Sequence, residues 1–143
     1  MAPLNVILVD DSPEFLASAE RFLSADSQIA IVARARSGYE ALDLAARMRP
    51  DLVLVDLSMP GMNGLETTRR IKACPAAPRV IVMTLYDEPE YRVAAEAAGA
   101  DGFVSKSAFR RSLLPLIATL CAEAGIAAGA ELSADRERTG SGA

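Results

Sequence analysis

The sequence predicts an α/β fold in which one parallel sheet is doubly wound by helices, and three observations carry that reading. Apolar runs too short for helices alternate with longer segments of helical period. Three of the runs, NVILV, LVLV and VIVMT, are continuous β-branched or Leu-rich stretches, as expected of strands with helices over both faces. The boundaries between segments carry start and stop chemistry of their own.

In chain order, strands are predicted at Asn5–Val9, Ile29–Ala35, Leu52–Val55, Val80–Thr84 and Gly102–Val104, with helices near Pro13–Ser24, Tyr39–Met48, Gly64–Ala73, Glu88–Ala98 and Ala108–Glu123. Ser12 is placed to cap the first helix, and Pro13 stands at its first position, where a missing N–H costs nothing. Phe15, Ala19, Phe22 and Leu23 fall on one face of it. Arg49-Pro50-Asp51 ends the second helix and starts the third strand, because a residue before proline leaves the α region. Gly99 suits a left-handed cap after the fourth helix, and Pro115 predicts a kink in the fifth.

A chain of 143 residues, half of them apolar, suffices for one domain with its own core, assigned to residues 1–123. Residues 124–143 end in Thr-Gly-Ser-Gly-Ala, show little apolar periodicity and read as a flexible tail or linker. The net charge is −4 and no basic stripe is present, which argues against direct nucleic-acid binding by this chain. The first apolar run is far too short to span a membrane and lacks the flanks of a signal peptide, so a soluble cytoplasmic chain is expected. Cys74 and Cys121 lack metal-site spacing, no His is available, and the two fall on opposite faces of the sheet, so both read as free thiols.

Ligands of a doubly wound sheet sit beyond the carboxyl ends of its strands. Those ends carry Asp10 and Asp11, Asp56, Thr84 and Lys106. Three clustered carboxylates repel one another unless a cation or a raised pKa relieves them. Hard oxygen ligands favour Mg²⁺; Lys106 adds a compact positive charge and Thr84 a hydroxyl donor, which together read as a phosphoryl-transfer site.

The runs ILVDDSP, DLVLVDLSMPGMNGLE, VIVMTLYD and GADGFVSKS occur in that order, with 45 residues from Asp11 to Asp56, 28 on to Thr84 and 22 on to Lys106. In these motifs the chain closely resembles the receiver domains of two-component response regulators, in the branch that often precedes a LuxR-type helix-turn-helix. The resemblance implies a flavodoxin-like five-stranded parallel sheet of order 2-1-3-4-5 with five helices, the first and fifth on one face. It implies Asp56 as phospho-acceptor, Mg²⁺ bound directly by Asp11, Asp56 and the Ser58 carbonyl, and Asp10 holding the ion through water. Lys106 would pair with the phosphoryl group, Thr84 would turn toward it, and Phe103 would be the aromatic that follows Thr84. The implied phosphate source is a sensor histidine kinase or a phosphotransfer protein.

Each residue also has a plainer role. Asp10 or Asp11 taken alone would cap the first helix, and Gly61, Asn63 and Gly64 would only shape a turn. Phe103, Met59, Met62 and Met83 would be ordinary core or loop filler. The order and spacing of four motifs weigh against those readings for the acidic cluster. A phosphatase using an aspartate nucleophile is the main rival, but its second Asp is replaced here by Ser58. No glycine-rich phosphate loop follows the first strand. The chain is therefore expected to be a switch and not an enzyme.

Its output would be a changed surface on the face of helix 4, strand 5 and helix 5, with Tyr91, Arg92, Phe103 and Arg110 as candidate contacts for a homodimer or partner. It would act alone or as the excised receiver of a helix-turn-helix transcription factor. Ser58 and Tyr86, ill suited to orienting a water, and the bulky Leu85, which would narrow its entry, would make the phosphorylated form long-lived.

Overall fold

The computed structural model of the protein describes residues 2–124. Five strands, β1 (Leu4–Val9), β2 (Ile29–Ala35), β3 (Leu52–Asp56), β4 (Arg79–Thr84) and β5 (Gly102–Ser105), form a parallel sheet of order β2-β1-β3-β4-β5. Helices α1 (Pro13–Ser24), α2 (Gly38–Met48), α3 (Gly64–Lys72), α4 (Pro89–Ala97) and α5 (Phe109–Ala124) connect or follow them, with a short 3-10 turn, Lys106–Ala108, between β5 and α5. The reversal of strand order leaves β1 and β3 as neighbours whose connections depart in opposite directions, opening a crevice at their carboxyl ends.

Alternation along the strands builds two cores. Val6, Leu8, Leu54, Ile81 and Met83 point to one face, where Leu16, Ala19 and Leu23 of α1 and Leu113 and Ile117 of α5 cover them. Ile7, Val9, Val53, Val55 and Val82 point to the other, beneath Ala41 of α2, Ile71 of α3 and Ala95 of α4. Each fully buried aliphatic side chain contributes about 2 kcal/mol of hydrophobic stabilisation. The apolar face of α1 also includes Leu16, which is more buried than Phe15 or Phe22. Cys121 lies in the first core, and burial, aided by the nearby Asp51 charge, pushes its thiol up to about 11; Cys74 follows α3 on the opposite side, and both thiols are free.

Local chemistry holds the boundaries to within a few residues. The Ser12 hydroxyl accepts the Phe15 N–H at 3.2 Å, and Ser37 and Asn63 cap α2 and α3 in the same way. Gly99 takes the left-handed conformation with φ 97°. Arg49 leaves the right-handed helical region as expected and takes the left-handed one (φ 46°, ψ 62°), capping α2 through its own N–H on the Ala45 carbonyl. α5 runs unbroken through Pro115, which lies on its exposed side, where the orphaned Arg111 carbonyl meets solvent.

The amino ends of the strands are tied by carboxylates. Asp51 accepts the Asn5 N–H at 2.8 Å, while Asp101 accepts Lys72 Nζ at 2.8 Å, the Val80 N–H at 2.8 Å and an Arg79 guanidinium nitrogen at 3.1 Å. Burial pushes the Asp101 carboxyl up, but the Lys72 and Val80 hydrogen bonds outweigh it and leave the group below its usual range.

Candidate functional site

The carboxyl end of the sheet gathers the residues expected there. β1 delivers Asp10, wholly buried, and then the half-buried Asp11; β3 ends on Asp56, also buried. Because β1 and β3 are adjacent, the three side chains meet, each offering an oxygen within 4.8 Å of the others. Lys106, released from β5 into the 3-10 turn, places Nζ 2.5 Å from Asp10 Oδ2 and 3.2 Å from Asp56 Oδ1. Asp10 Oδ1 accepts the Ser12 N–H at 2.9 Å, whereas Oδ2 is buried and receives no aligned hydrogen bond.

Electrostatics follow from that crowding. Burial, then the neighbouring Asp10 charge, then that of Asp11 raise the Asp56 carboxyl to about 6, against the pull of Lys106. One ammonium therefore meets two of three clustered carboxyl groups, which leaves a deficit of positive charge at the carboxyl end of the sheet.

Thr84 is buried at the end of β4, and its hydroxyl oxygen accepts the Tyr86 N–H at 3.0 Å. Asp56 pairs in register with Met83, so Thr84 stands one residue beyond Asp56 on the adjoining strand. Ser58 lies exposed in the loop after β3. That loop turns through Gly61 at φ 76° and returns at Gly64, whose N–H donates to the Leu57 carbonyl at 2.9 Å. A Cβ on Gly64 would stand 2.1 Å from the Asp56 carbonyl oxygen, so only glycine lets α3 begin this close to the acidic strand end.

Phe103 is buried in the core beneath α4, with the Arg92 guanidinium 4.7 Å from its ring centroid. Met59, Met62 and Met83 are buried as well. Leu85 and Tyr86 are mainly exposed, so neither is a packing residue of the core, although the Tyr86 ring lies 6.2 Å from that of Tyr91 on α4. Arg110 does not join Arg92 and Phe103. It reaches over Phe22 of α1 at 5.6 Å and lines the groove between α1 and α5.

Two features of the site escaped the sequence reading. Nothing in the local pattern marks Phe15 as a neighbour of Lys106, yet the ammonium lies 4.2 Å from its ring centroid. The close approach of Gly64 was legible only as turn chemistry.

The donor set fits a hard divalent cation: three carboxylates at one point, with a single ammonium against two of them and no competing soft ligand among them.

An open parallel sheet with this strand order and an acidic crevice at its switch point defines a flavodoxin-like α/β class. The family of response regulator receiver domains matches residues 6–118, and the chain belongs to it. The nitrate/nitrite response regulator protein NarL of Escherichia coli (strain K12) is 35% identical over 112 residues, covering 78% of this chain and 52% of that protein. The chain thus spans about half the length of that curated relative. The signal receiver domain of NarL from Mycobacterium tuberculosis superposes with a TM-score of 0.78 at 31% identity, over 86% of this chain and 98% of that one. A LuxR-family two-component response regulator from Aurantimonas sp. SI85-9A1 also gives 0.78, at 30% identity, over 94% and 99%. Among the described residues no helix is long and apolar enough to cross a membrane.

Proposed function

We propose that Asp56 of this receiver domain accepts a phosphoryl group in a magnesium-dependent reaction and that the modification switches the surface around α4, β5 and α5. The supporting observation is the meeting of Asp10, Asp11 and Asp56 within 4.8 Å, with Lys106 3.2 Å from the Asp56 carboxylate. Asp11, Asp56 and the Ser58 carbonyl would hold Mg²⁺, with Asp10 acting through water. The ion supplies charge neutralisation for an incoming anionic phosphate. Asp56 provides the attacking carboxylate oxygen. Lys106 keeps its proton and compensates a phosphoryl oxygen, while Thr84 exchanges its contact with the Tyr86 N–H for a hydrogen bond to the new group.

A sensor histidine kinase or a phosphotransfer protein fits as donor, since an acyl phosphate on Asp56 requires a donor of comparable transfer potential. Intact-mass measurement with acetyl phosphate tests the site: wild type should gain one phosphoryl group only when Mg²⁺ is present, and Asp56→Asn should gain none. Equal phosphorylation of the variant overturns the assignment.

For the output, the likeness to NarL and to a LuxR-family regulator favours a receiver that controls a DNA-binding domain, with residues 124–143 leading toward it. A homodimer through the α4, β5 and α5 face is the corresponding readout. The length of the native open reading frame decides whether such a domain follows.

A further inference from the structure

Lys106 is gripped on two sides by carboxylates and on a third by a ring. Its ammonium lies 2.5 Å from Asp10 Oδ2, 3.2 Å from Asp56 Oδ1 and 4.2 Å from the centroid of Phe15. Phe15 itself is held twice: its N–H donates to the Ser12 cap, and its ring meets Phe109 edge-on at 5.4 Å and 74°. Phe109 in turn lies 5.5 Å from Phe22. The contacts close a circuit, since Ser12 also donates its N–H to Asp10, the carboxylate that Lys106 faces. A cleft of about 280 Å³ opens beside the ring, with Phe15, Ser18, Lys106, Phe109 and Arg111 among its lining residues.

We propose that Phe15 is a positioning residue for the phosphoryl-accepting site, its ring face holding the Lys106 ammonium against the acidic crevice. The inference rests on the reading of Asp56 and Lys106 given above. A quadrupolar ring face attracts an ammonium without neutralising it, so the charge remains available to a phosphoryl oxygen. In transfer from acetyl phosphate an Asp56 oxygen bonds to phosphorus, the O–P bond to the acetyl group breaks, and acetate leaves with the electron pair. Lys106 then exchanges part of its contact with Asp56 for a phosphoryl oxygen, and the ring keeps it from turning outward while it does so.

The test compares Phe15→Leu with Phe15→Tyr, each alone and with Lys106→Met, by following the rate of mass gain with acetyl phosphate and Mg²⁺. Phe15→Leu should slow phosphorylation about fivefold, Phe15→Tyr should stay within about twofold of wild type, and Phe15→Leu should add nothing once Lys106 is Met. A Phe15→Leu protein as fast as wild type, or slowed equally without the lysine, overturns the proposal. Proton NMR of the unmodified wild type gives a second measure that survives a folding failure of the variants. The Lys106 ε-methylene should be shifted upfield by the ring, and its absence from that region overturns the contact itself. Should wild type fail to gain phosphate, or Lys106→Met leave the rate unchanged, the assignment of Asp56 and Lys106 falls and this inference with it. A rate that depends on Lys106 but not on Phe15 refutes the inference alone.

Discussion

Lys106 and Asp10 form a buried ion pair, 2.5 Å long, in which Asp10 is wholly shielded from solvent and the lysine nearly so. A charge pair buried this deeply is strongly destabilising to break from one side, because the remaining partner is left without compensation. Lys106→Met is therefore expected to lower the melting temperature in the absence of divalent cations. It should also bind Mg²⁺ several-fold more tightly than wild type, since the ion no longer competes with an ammonium for the same carboxylates. Thermal melts across a Mg²⁺ titration check both outcomes, and an unchanged affinity would show that lysine and ion do not share the crevice.

Asp56 makes the magnesium-free protein sensitive to pH in a defined direction. Its carboxyl stands at about 6 in the folded chain against an ordinary 3.8, so between those values the folded state holds a proton that the unfolded state has released. Stability from this group accordingly falls as pH rises through that window and stays lower above it. Asp56→Asn should remove the effect and stabilise the magnesium-free protein at neutral pH by on the order of 3 kcal/mol. Denaturant melts of both proteins at pH 4.5 and 7.5 provide the comparison, with added Mg²⁺ expected to cancel most of the difference.

Asp101 should behave with the opposite sign. Burial works against its ionisation, but Lys72, the Val80 N–H and Arg79 together hold its carboxyl below the usual range. Its contribution is present above the ordinary aspartate pKa and is lost as pH falls through the depressed folded value. Asp101→Asn is expected to cost about 2 kcal/mol at neutral pH, through weakened charge-assisted hydrogen bonds, with little change in phosphorylation rate. A large loss of phosphorylation at unchanged stability would contradict a purely structural role.

Gly64 and Gly38 separate backbone obstruction from side-chain obstruction. An alanine Cβ at Gly64 would meet the backbone of Asp56 and Leu57, at 2.1 to 2.9 Å, whereas at Gly38 it would meet the Thr67 hydroxyl at 2.3 Å and the end of Met62 at 3.0 Å. Side chains can turn aside and backbone cannot. Gly64→Ala should thus be the more destabilising, by on the order of 3 kcal/mol, and should also slow phosphorylation by displacing the carbonyl of Asp56. Urea unfolding of the two variants, alongside their mass gain with acetyl phosphate, checks the ranking.

Thr84→Ala and Tyr86→Glu address the response and its decay. Thr84→Ala should still accept phosphate while losing the change in hydrogen exchange over α4, β5 and α5 that a beryllofluoride mimic induces in wild type. Tyr86→Glu should shorten the phosphoryl lifetime, because a carboxylate beside the crevice can orient a water that a phenol cannot. If decay after removal of the donor is unchanged, Tyr86 does not govern the approach of water.

The strand ends were the most legible part of the chain because both causes of their placement are local: apolar runs set the strands, and a doubly wound sheet presents its ligands at their carboxyl ends. Asp10, Asp11, Asp56, Thr84 and Lys106 follow from those rules together with motif spacing. Phe15 does not, since its pairing with Lys106 depends on how α1 and the start of α5 meet, and helical period reports only that the residue faces inward. The direction of Arg110 was hidden for a related reason: a long side chain on α5 can lean toward either neighbour, and here it lies over Phe22. Arg49 shows a smaller version of the limit, because proline excludes the helical region for its predecessor without choosing between the remaining ones.

Aspartate serves both ends of this sheet, in opposite senses. At the amino ends Asp51 and Asp101 are moored to backbone N–H groups of the neighbouring strands, and at the carboxyl ends Asp10 and Asp56 share a single ammonium, that of Lys106 from the turn after β5. The strands are therefore clamped like reeds at one end and free to be tuned at the other. A charge added at the free end can shift loops and helix starts without sliding the strands past one another, so the domain gains polarity: a signal entering at the crevice has only the helical flanks along which to leave.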